Sequence, residues 1–590
     1  MSVVALGALV SSCAGLRGRG PATEAPGSVS GSRPNVVLIY TDDLGYSDVG
    51  FQSQMPTPTP AIQALAETGL YFRNFYSASS ICSPARASLL SGKFPPDTGV
   101  GKALFPGQGH GVLRAEETTL GELFLGAGYQ TGFFGKWHVG DLAGTRPLDQ
   151  GFQRFTGILH SHDLTRTLFR QDQVADGRAS TEKILQSILS DAVSFISERR
   201  EAPFFIMYST PMPHVPLPKG YSYQRTLFQI DQDVARIVEA LEKAGVRENT
   251  LIIFASDNGP WVPKGDSTGE SWPHRGTKGS TLEGGFKVPM VASWPARHRE
   301  LKVVEDIVSG TDFFSTFAEM LGIPSVASKL AESRSFWARL SGDPASAQAR
   351  SHMPFYSGSR LEALRAGRWK YDYDSSRLYD LERDPAEARD VSGNHPEVVR
   401  QFATRDVQSI GQRLGTTVPS SSRTVDLLRP EDAAQSTFYQ QSIPQHGIYF
   451  SPVGTHNLAR VEALAYEGSP DVVSKFLSAG LDVNRVFERF GQAVGATGAS
   501  GEFSANLAAL WSLSGQVEKL RLGRERGVAY DLRVKTRPFK HSRKARLAEH
   551  LQDEIEAWTE YERLSDVRHR DYFSRHLVRL REAEALVRLK

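Results

Sequence analysis

Cys82 opens the run Cys82-Ser83-Pro84-Ala85-Arg86 inside "YSASSICSPARASLLSG", and it is one of only two cysteines in 590 residues. A thiol used this sparingly, beside an arginine and a helix-like run, is a candidate for chemistry. Ser83 has the character of an N-cap and Pro84 suits a first helical position, so the stretch predicts a helix with Cys82 just before its N-terminus. There the helix dipole favours negative charge. Two uses of the residue stay open at this point: a small buried residue in a turn, or a thiolate nucleophile activated by the helix and Arg86. No local cysteine-hydrolase signature accompanies it.

Two apolar runs end in oxygen ligands. "PNVVLIYTDDLGYSD" stops at Asp42-Asp43, and "NTLIIFASDNGPW" stops at Asp257-Asn258-Gly259. Both read as strands buried on two faces of a parallel sheet. In open α/β sheets ligands gather at the carboxyl ends of strands. Three carboxylates and an amide oxygen meeting there make a hard, oxygen-only site for Ca²⁺ or Mg²⁺ rather than Zn²⁺. Asp and Asn are ordinary turn formers, so the pairing of the two strand ends carries this reading. Two further runs end on ionisable groups. "YQTGFFGKWHVG" leads to Lys136 and His138, and "APFFIMYSTPMPHVP" leads to His214. Seen singly, these are equally well surface lysines and structural histidines.

The elements that must position these residues alternate along the chain. "TPAIQALAETG", "LGELFLGAG" and "LFQIDQDVARIVEALEKAG" carry apolar residues at helical spacing between the buried strands. The pattern is α/β with a mainly parallel sheet flanked by helices. A length of 590 residues exceeds one core and predicts several domains. A net charge of +2 without basic runs points away from nucleic acid. Two isolated cysteines form neither a disulfide framework nor a zinc site. At the N-terminus, "VVALGALV" is too short to span a bilayer, and a Gly/Pro/Ser-rich linker follows it. Residues 1–32 read as an export segment, with Cys13 placed as the lipid-anchored first residue of a bacterial lipoprotein, periplasmic or extracellular.

The run Cys82-Ser83-Pro84-Ala85-Arg86 also resembles the C-x-P-x-R element of the type I sulfatase family, within the alkaline-phosphatase-like superfamily. "RPNVVLIYTDDLGYSDVG", "GKWHVG", "ASDNGP" and "GTKGSTLEGGFKVPMVASWPA" resemble further family elements in the same order, and the likeness extends over about residues 33–410. It implies a sulfatase that hydrolyses a sulfate ester to alcohol and inorganic sulfate. In this family the cysteine is converted to formylglycine by a formylglycine-generating enzyme, and the aldehyde hydrate is the nucleophile. The resemblance places metal ligation by one Ca²⁺ on Asp42, Asp43, Asp257 and Asn258, together with residue 82. It implies that Arg86 holds the nucleophile's hydroxyl and that Lys136 and Lys278 bind sulfate oxygens. His214 would protonate the leaving oxygen, while His138, supported by Ser161, would act on the second hydroxyl. A phosphonate monoester or phosphodiester hydrolase and a catalytically inactive binding protein are the alternatives. The implied substrate is a sulfated small molecule or glycan.

The organisation expected is an export segment (1–32), an α/β catalytic domain (33–325), a small antiparallel sheet subdomain (326–415), a linker (416–455) and a helical extension (456–590). In that extension "NLARVEALAYEGSPDVVSKFLSAGLDVN" and "NLAALWSLSGQVEKLRLGRERGVAYDL" resemble degenerate ankyrin repeats, a surface for a protein partner. Their glycines, Gly468 with Gly515 and Gly480 with Gly527, are spaced wider than the ankyrin period of about 33, so an insertion separates the copies.

Overall fold

In the computed structural model, residues 33–410 are described except 54–56, 109, 199–200, 262–268, 329, 331, 344–349, 405 and 408–409. Beyond them the description covers 448–450, 461–463, 552, 555–565, 570, 572–574, 577–578 and 580–581. The export segment, Cys13 and both ankyrin-like glycine pairs lie outside the described residues.

The first half of the chain alternates as the apolar runs require. It proceeds through β1 (Asn35–Asp42), α1 (Pro60–Glu67), β2 (Leu70–Tyr76), α2 (Cys82–Ser91), α3 (Pro95–Thr98), α4 (Leu120–Gly126), β3 (Gln130–Lys136) and β4 (Arg154–Ile158). The hairpin β5 (Leu168–Arg170) and β6 (Gln173–Asp176) precedes α5 (Thr181–Ser197), β7 (Phe204–Pro213), α6 (Tyr223–Lys243) and β8 (Thr250–Ser256). Then come α7 (Glu283–Phe286), β9 (Met290–Ser293), β10 (Lys302–Ser309) and α8 (Asp312–Met320). Ten strands form one sheet in the order β10-β2-β9-β8-β1-β7-β3-β4-β5-β6. Its centre, β8-β1-β7-β3-β4, is parallel throughout. β9 inserts antiparallel between β2 and β8.

β1 shows why the sheet sits where it does. Every residue from Val36 to Asp42 is buried, and alternate side chains enter opposite layers. Val36, Leu38 and Tyr40 pack with Phe72, Leu89, Phe124, Phe133 and Phe205. Val37 and Ile39 pack on the other side with Ile184, Ile188, Ile206, Leu227 and Val234. α6 presents Leu227, Ile230, Val234, Ile237 and Leu241 at helical spacing to that second layer. Ser222 caps it by accepting from the Arg225 amide at 3.1 Å.

A second sheet is antiparallel, β11 (His352–Ser357), β12 (Arg360–Ala366), β13 (Trp369–Asp372) and β14 (Arg377–Asp380) in that order. It lies within the stretch 326–415 read from the sequence as a small antiparallel sheet. Tyr76, Phe94, Phe286 and Ile307 of the first sheet's layer join Met353, Phe355 and Ala363 in one apolar cluster that holds the two sheets together.

Two readings of local structure are corrected. α2 begins at Cys82 itself, with Ile81 in extended backbone at the N-cap position and no side-chain cap. Ser83 is already helical, and its hydroxyl instead accepts from the Leu104 amide at 3.1 Å. Proline lacks only a donor that is orphaned anywhere in a first turn, so Pro84 marks that turn without fixing its first residue. Further on, Val461–Ala463 pairs antiparallel with Ile448–Phe450, inside segments read as helix and linker.

Candidate active site

The carboxyl ends of β1, β3, β7 and β8 and the first turn of α2 converge on one buried pocket. Asp42 ends β1 and Asp43 follows it; Asp257 and Asn258 follow β8 directly. Ligating atoms of Asp42, Asp43 and Asp257 all lie within 4.8 Å of one another. Asn258 joins them, its Nδ2 donating to Asp43 Oδ1 at 2.7 Å. The Asp43 amide donates to Asp257 Oδ1 at 3.1 Å, which ties the two strand ends together. The pairing read from the sequence is therefore present in space.

Three fixed cations face the carboxylates. Arg86, in the second turn of α2 and 1% exposed, is almost wholly enclosed. Its Nε donates to Asp257 Oδ2 at 2.9 Å, and its Nη1 donates to the Lys136 carbonyl at 2.8 Å and to Ser209 Oγ at 2.6 Å. Lys136 Nζ reaches Asp42 Oδ2 at 2.6 Å, and Lys278 Nζ reaches Asp43 Oδ1 at 2.7 Å. Burial alone would raise the Asp42 carboxyl, yet Lys136, His214, Arg86 and Lys278 hold it well below the usual carboxylate range. Asp257 is pushed up to about 7 by burial and by Asp42, against the pull of Arg86. Burial also raises the Asp43 carboxyl, with Lys278 opposing.

Cys82, the first residue of α2, is buried. Burial pushes its thiol up from the ordinary value, although Lys136 and Lys278 lean the other way. A thiolate nucleophile needs the opposite, so burial weighs against that use of the residue.

Both histidines are held neutral by burial. His138 lies well below the ordinary imidazole value, with Lys136 adding to the effect of burial. Its Nε2 faces the Leu104 carbonyl at 3.0 Å, while its buried Nδ1 has no hydrogen-bond partner. His214 is lowered to about 3 by burial, with Asp42 opposing. Its Nδ1 lies 2.6 Å from the Val215 carbonyl, which leaves Nε2 toward Asp43 Oδ2 at 3.6 Å. Asp43 and His138 both adopt left-handed backbone, with φ of 66° and 64°. Such non-glycine outliers cost on the order of 1–3 kcal/mol each and persist where surroundings over-determine them. Two of them in one pocket mark its walls as built for placement rather than for stability.

Ser161 is the exception. It is buried in the turn after β4, its carbonyl accepting from the Leu164 and Thr165 amides at 3.0 and 3.1 Å. Among the described residues, none of the hydrogen bonds joining the carboxylates to the cations runs through its side chain. Sequence reasoning missed its neighbours. The His162 ring stands 5.6 Å from that of His214, and the His160 ring 5.9 Å from that of His138. Ser209, which holds Arg86, was also missed. "LHSHD" carried a visible signal in its paired histidines, whereas Ser209 inside a buried strand carried none.

The oxygen set fits a hard cation. Asp42 Oδ1 and Asn258 Oδ1 are buried without a hydrogen-bond partner, and an orphaned buried acceptor is costly unless something occupies it. Three carboxylates and one amide oxygen, with no sulfur or imidazole among them, suit calcium or magnesium.

Comparison with known proteins converges on this segment. Residues 34–323 match the family model described as Sulfatase. Arylsulfatase A of Homo sapiens is 33% identical over 328 residues, covering 49% of this chain and 64% of that protein. N-acetylgalactosamine-6-sulfatase of Mus musculus is 28% identical over 327 residues, covering 49% of this chain and 63% of that protein. The chain thus spans slightly under two thirds of these relatives. Among solved structures, Ps i-CgsB in complex with k-i-k-neocarrahexaose superposes with a TM-score of 0.55 at 26% identity, over 66% of this chain and 98% of its own. A sulfatase from Pseudoalteromonas sp. gives 0.56 at 24% identity, over 65% and 92%, and speaks to the fold alone. Residues 34–323, which carry every residue of the pocket, are thus the part of the chain that is similar to the sulfatase family.

Proposed function

We propose that this protein is a sulfuric ester hydrolase that acts on a sulfated small molecule or glycan through a matured residue 82. One observation carries the reading: the single cysteine of the domain is buried at the start of α2, where Lys136, Lys278, Asp42 and Asp257 all act on it. A cysteine kept there serves as a precursor rather than as a thiol. Its formylglycine hydrate would supply the nucleophilic oxygen, and a calcium ion held by Asp42, Asp43, Asp257 and Asn258 would supply fixed positive charge.

The chain's own groups account for the remaining requirements. A sulfate ester is an anion whose charge spreads over its oxygens as the ester bond breaks, and preorganised cations stabilise that spread in a partly dry pocket. Lys136 and Lys278 provide two such groups. Arg86 is locked by Asp257, Ser209 and the Lys136 carbonyl, so it fixes the floor under residue 82. With Nδ1–H given to the Val215 carbonyl, His214 presents Nε2 to the site, the atom that would carry a proton to the leaving oxygen. Burial keeps it neutral in the free pocket, and an incoming anion favours its charged form. His138 presents the unpartnered Nδ1 as acceptor for a proton at residue 82.

The test is maturation and mass balance. Protein produced with a formylglycine-generating enzyme should yield a residue-82 peptide that has lost its thiol and reacts with hydrazides. It should release sulfate stoichiometrically with alcohol from sulfate esters. Phosphate release from phosphonate monoesters or phosphodiesters in place of sulfate, or full activity with an unmodified thiol, would overturn the reading.

A further inference from the structure

We propose that Glu387 and Lys370, contributed by the small antiparallel sheet and the turn beyond it, are positioning residues for Lys278. The inference rests on the sulfate-binding role proposed above for Lys278. That lysine lies on a loop whose ends, Arg275 and Gly284, close on each other through a 2.8 Å backbone hydrogen bond. Inside the loop, the Lys278 amide donates to the Pro260 carbonyl and the Gly279 amide to the Ser80 carbonyl, both at 2.9 Å. These bonds set the loop against the turn after β8 and the segment leading into α2. They do not fix its two ends.

Glu387 fixes both ends at once. Its backbone carbonyl accepts from Arg275 Nη2 at 2.7 Å, and its Oε2 accepts from the Glu283 amide at 2.7 Å. The neighbouring Pro385 carbonyl meets His274 Nδ1 at 3.1 Å. Glu387 is 1% exposed and adopts left-handed backbone, with φ of 53°. A buried glutamate in that conformation is held there by its contacts. Lys370, on β13 and also 1% exposed, supplies them. Its ammonium lies 2.8 Å from Glu387 Oε1 and 3.2 Å from Glu283 Oε1. Glu283 Oε2 in turn accepts from Tyr76 Oη at 2.5 Å, which ties the latch to the end of β2.

Such a buried ionic cluster is a poor device for stability, because well-packed apolar residues of similar volume serve at least as well. What it does supply is direction. One ammonium faces an oxygen of each glutamate, while the Glu283 amide and Tyr76 Oη take the other two oxygens, so the loop ends are held in one register. Lys278 sits between those ends with its ammonium 2.7 Å from Asp43. The small sheet and the turn beyond it therefore reach the Lys278 loop through this latch.

The experiment uses the matured full-length protein and a double-mutant cycle. With an aryl sulfate as probe, Glu387→Ala should lower kcat/KM about tenfold or more when Lys278 is present, and less than about twofold in a Lys278→Ala background. Glu387→Gln keeps an acceptor for the Glu283 amide and should recover most of the loss. Equal losses in both backgrounds would show a merely structural role and overturn the proposal. Amide hydrogen exchange of the Glu387→Ala and Lys370→Met proteins provides a second measurement. Exchange at Lys278, Gly279 and Gly284 should quicken while β12 and β13 amides stay protected; unchanged loop exchange, or a uniform rise, would refute the latch. If the parent protein cleaves no sulfate ester, the sulfatase reading fails while the exchange comparison still decides whether Glu387 and Lys370 hold the loop.

Discussion

Arg86→Met tests how the pocket floor is held. The methionine keeps the apolar stem and removes a guanidinium that contacts Asp257, Ser209 and the Lys136 carbonyl. That carbonyl keeps a donor, since Ser209 Oγ also reaches it at 2.8 Å. The cost therefore falls on Asp257, a fully buried carboxylate stripped of its closest cation. Removing one partner of a buried pair typically costs about 3–5 kcal/mol. Asp257 can relieve part of this by holding a proton, and burial with Asp42 already raises its carboxyl to about 7. A carboxyl raised above its unfolded value contributes stability that is present below the unfolded pKa and is lost as pH rises through the folded one. Without Arg86 the folded value rises further, so variant and parent share one slope below about pH 7. Above it, the deficit should grow by up to about 1.4 kcal/mol per pH unit. Arg86→Lys keeps a charge and loses only the fork, so its deficit should stay near about 1–2 kcal/mol with no such growth. Urea denaturation in chelator across this pH range measures both. An Arg86→Met deficit that is independent of pH, or below about 1 kcal/mol at the alkaline end, would refute the account of Asp257.

Asp257→Ala should lower bound calcium and activity together, read by elemental analysis and turnover, because the remaining oxygens cannot complete six or more ligands; full turnover after exhaustive chelation would contradict this. His214→Ala should cost up to about 10²–10⁴-fold on esters of poor leaving alcohols, and much less on a nitrophenyl ester whose leaving oxygen needs no proton. His138→Ala should instead release one equivalent of alcohol in a burst and then stall, as followed by rapid quench. At the far end of the chain, Phe228 on α6 stacks on Tyr561 at 4.4 Å within a cluster that includes Trp558 and Phe573. Phe228→Ala should therefore expose the region 552–581 to limited proteolysis while the melting temperature of the α/β domain barely moves.

Strands buried on both faces announce themselves, and β1, β7 and β8 were legible as continuous apolar runs ending where ligands gather. The oxygen ligands were legible for the same reason, since each ends its strand or follows it directly. Lys278 was not readable on its own: it lies in a polar loop, and only the resemblance to sulfatases singled it out. The antiparallel insertion of β9 between β2 and β8 left no trace, because four buried residues look alike in either direction. Glu387 and Lys370 were invisible for a different reason. In a tail rich in charged residues they have the composition of a solvated face, and only tertiary packing closes water off from them. Ser83 misled locally, since its suitability as a cap lost to the Leu104 amide, a partner 21 positions away.

The charge balance of the pocket connects these parts. Asp42, Asp43 and Asp257 confront Arg86, Lys136 and Lys278, while burial keeps His138 and His214 neutral. Protein groups alone thus come close to neutrality, which is the condition under which so many buried charges are tolerable. Lys136 and Lys278 are each engaged by a carboxylate that is also a candidate cation ligand. A divalent cation on those oxygens would make the pocket as a whole positive, and the two ammonium groups would then be the natural partners of an anionic ester. The dense pairing of the lysines with Asp42 and Asp43 is accordingly a reason to expect metal and anion binding to depend on each other. The left-handed backbone at Asp43 and His138 belongs to the same logic. Neither strained turn serves an isolated α/β sheet, and both become intelligible as walls that hold ligating and proton-accepting atoms where unlike charges must meet.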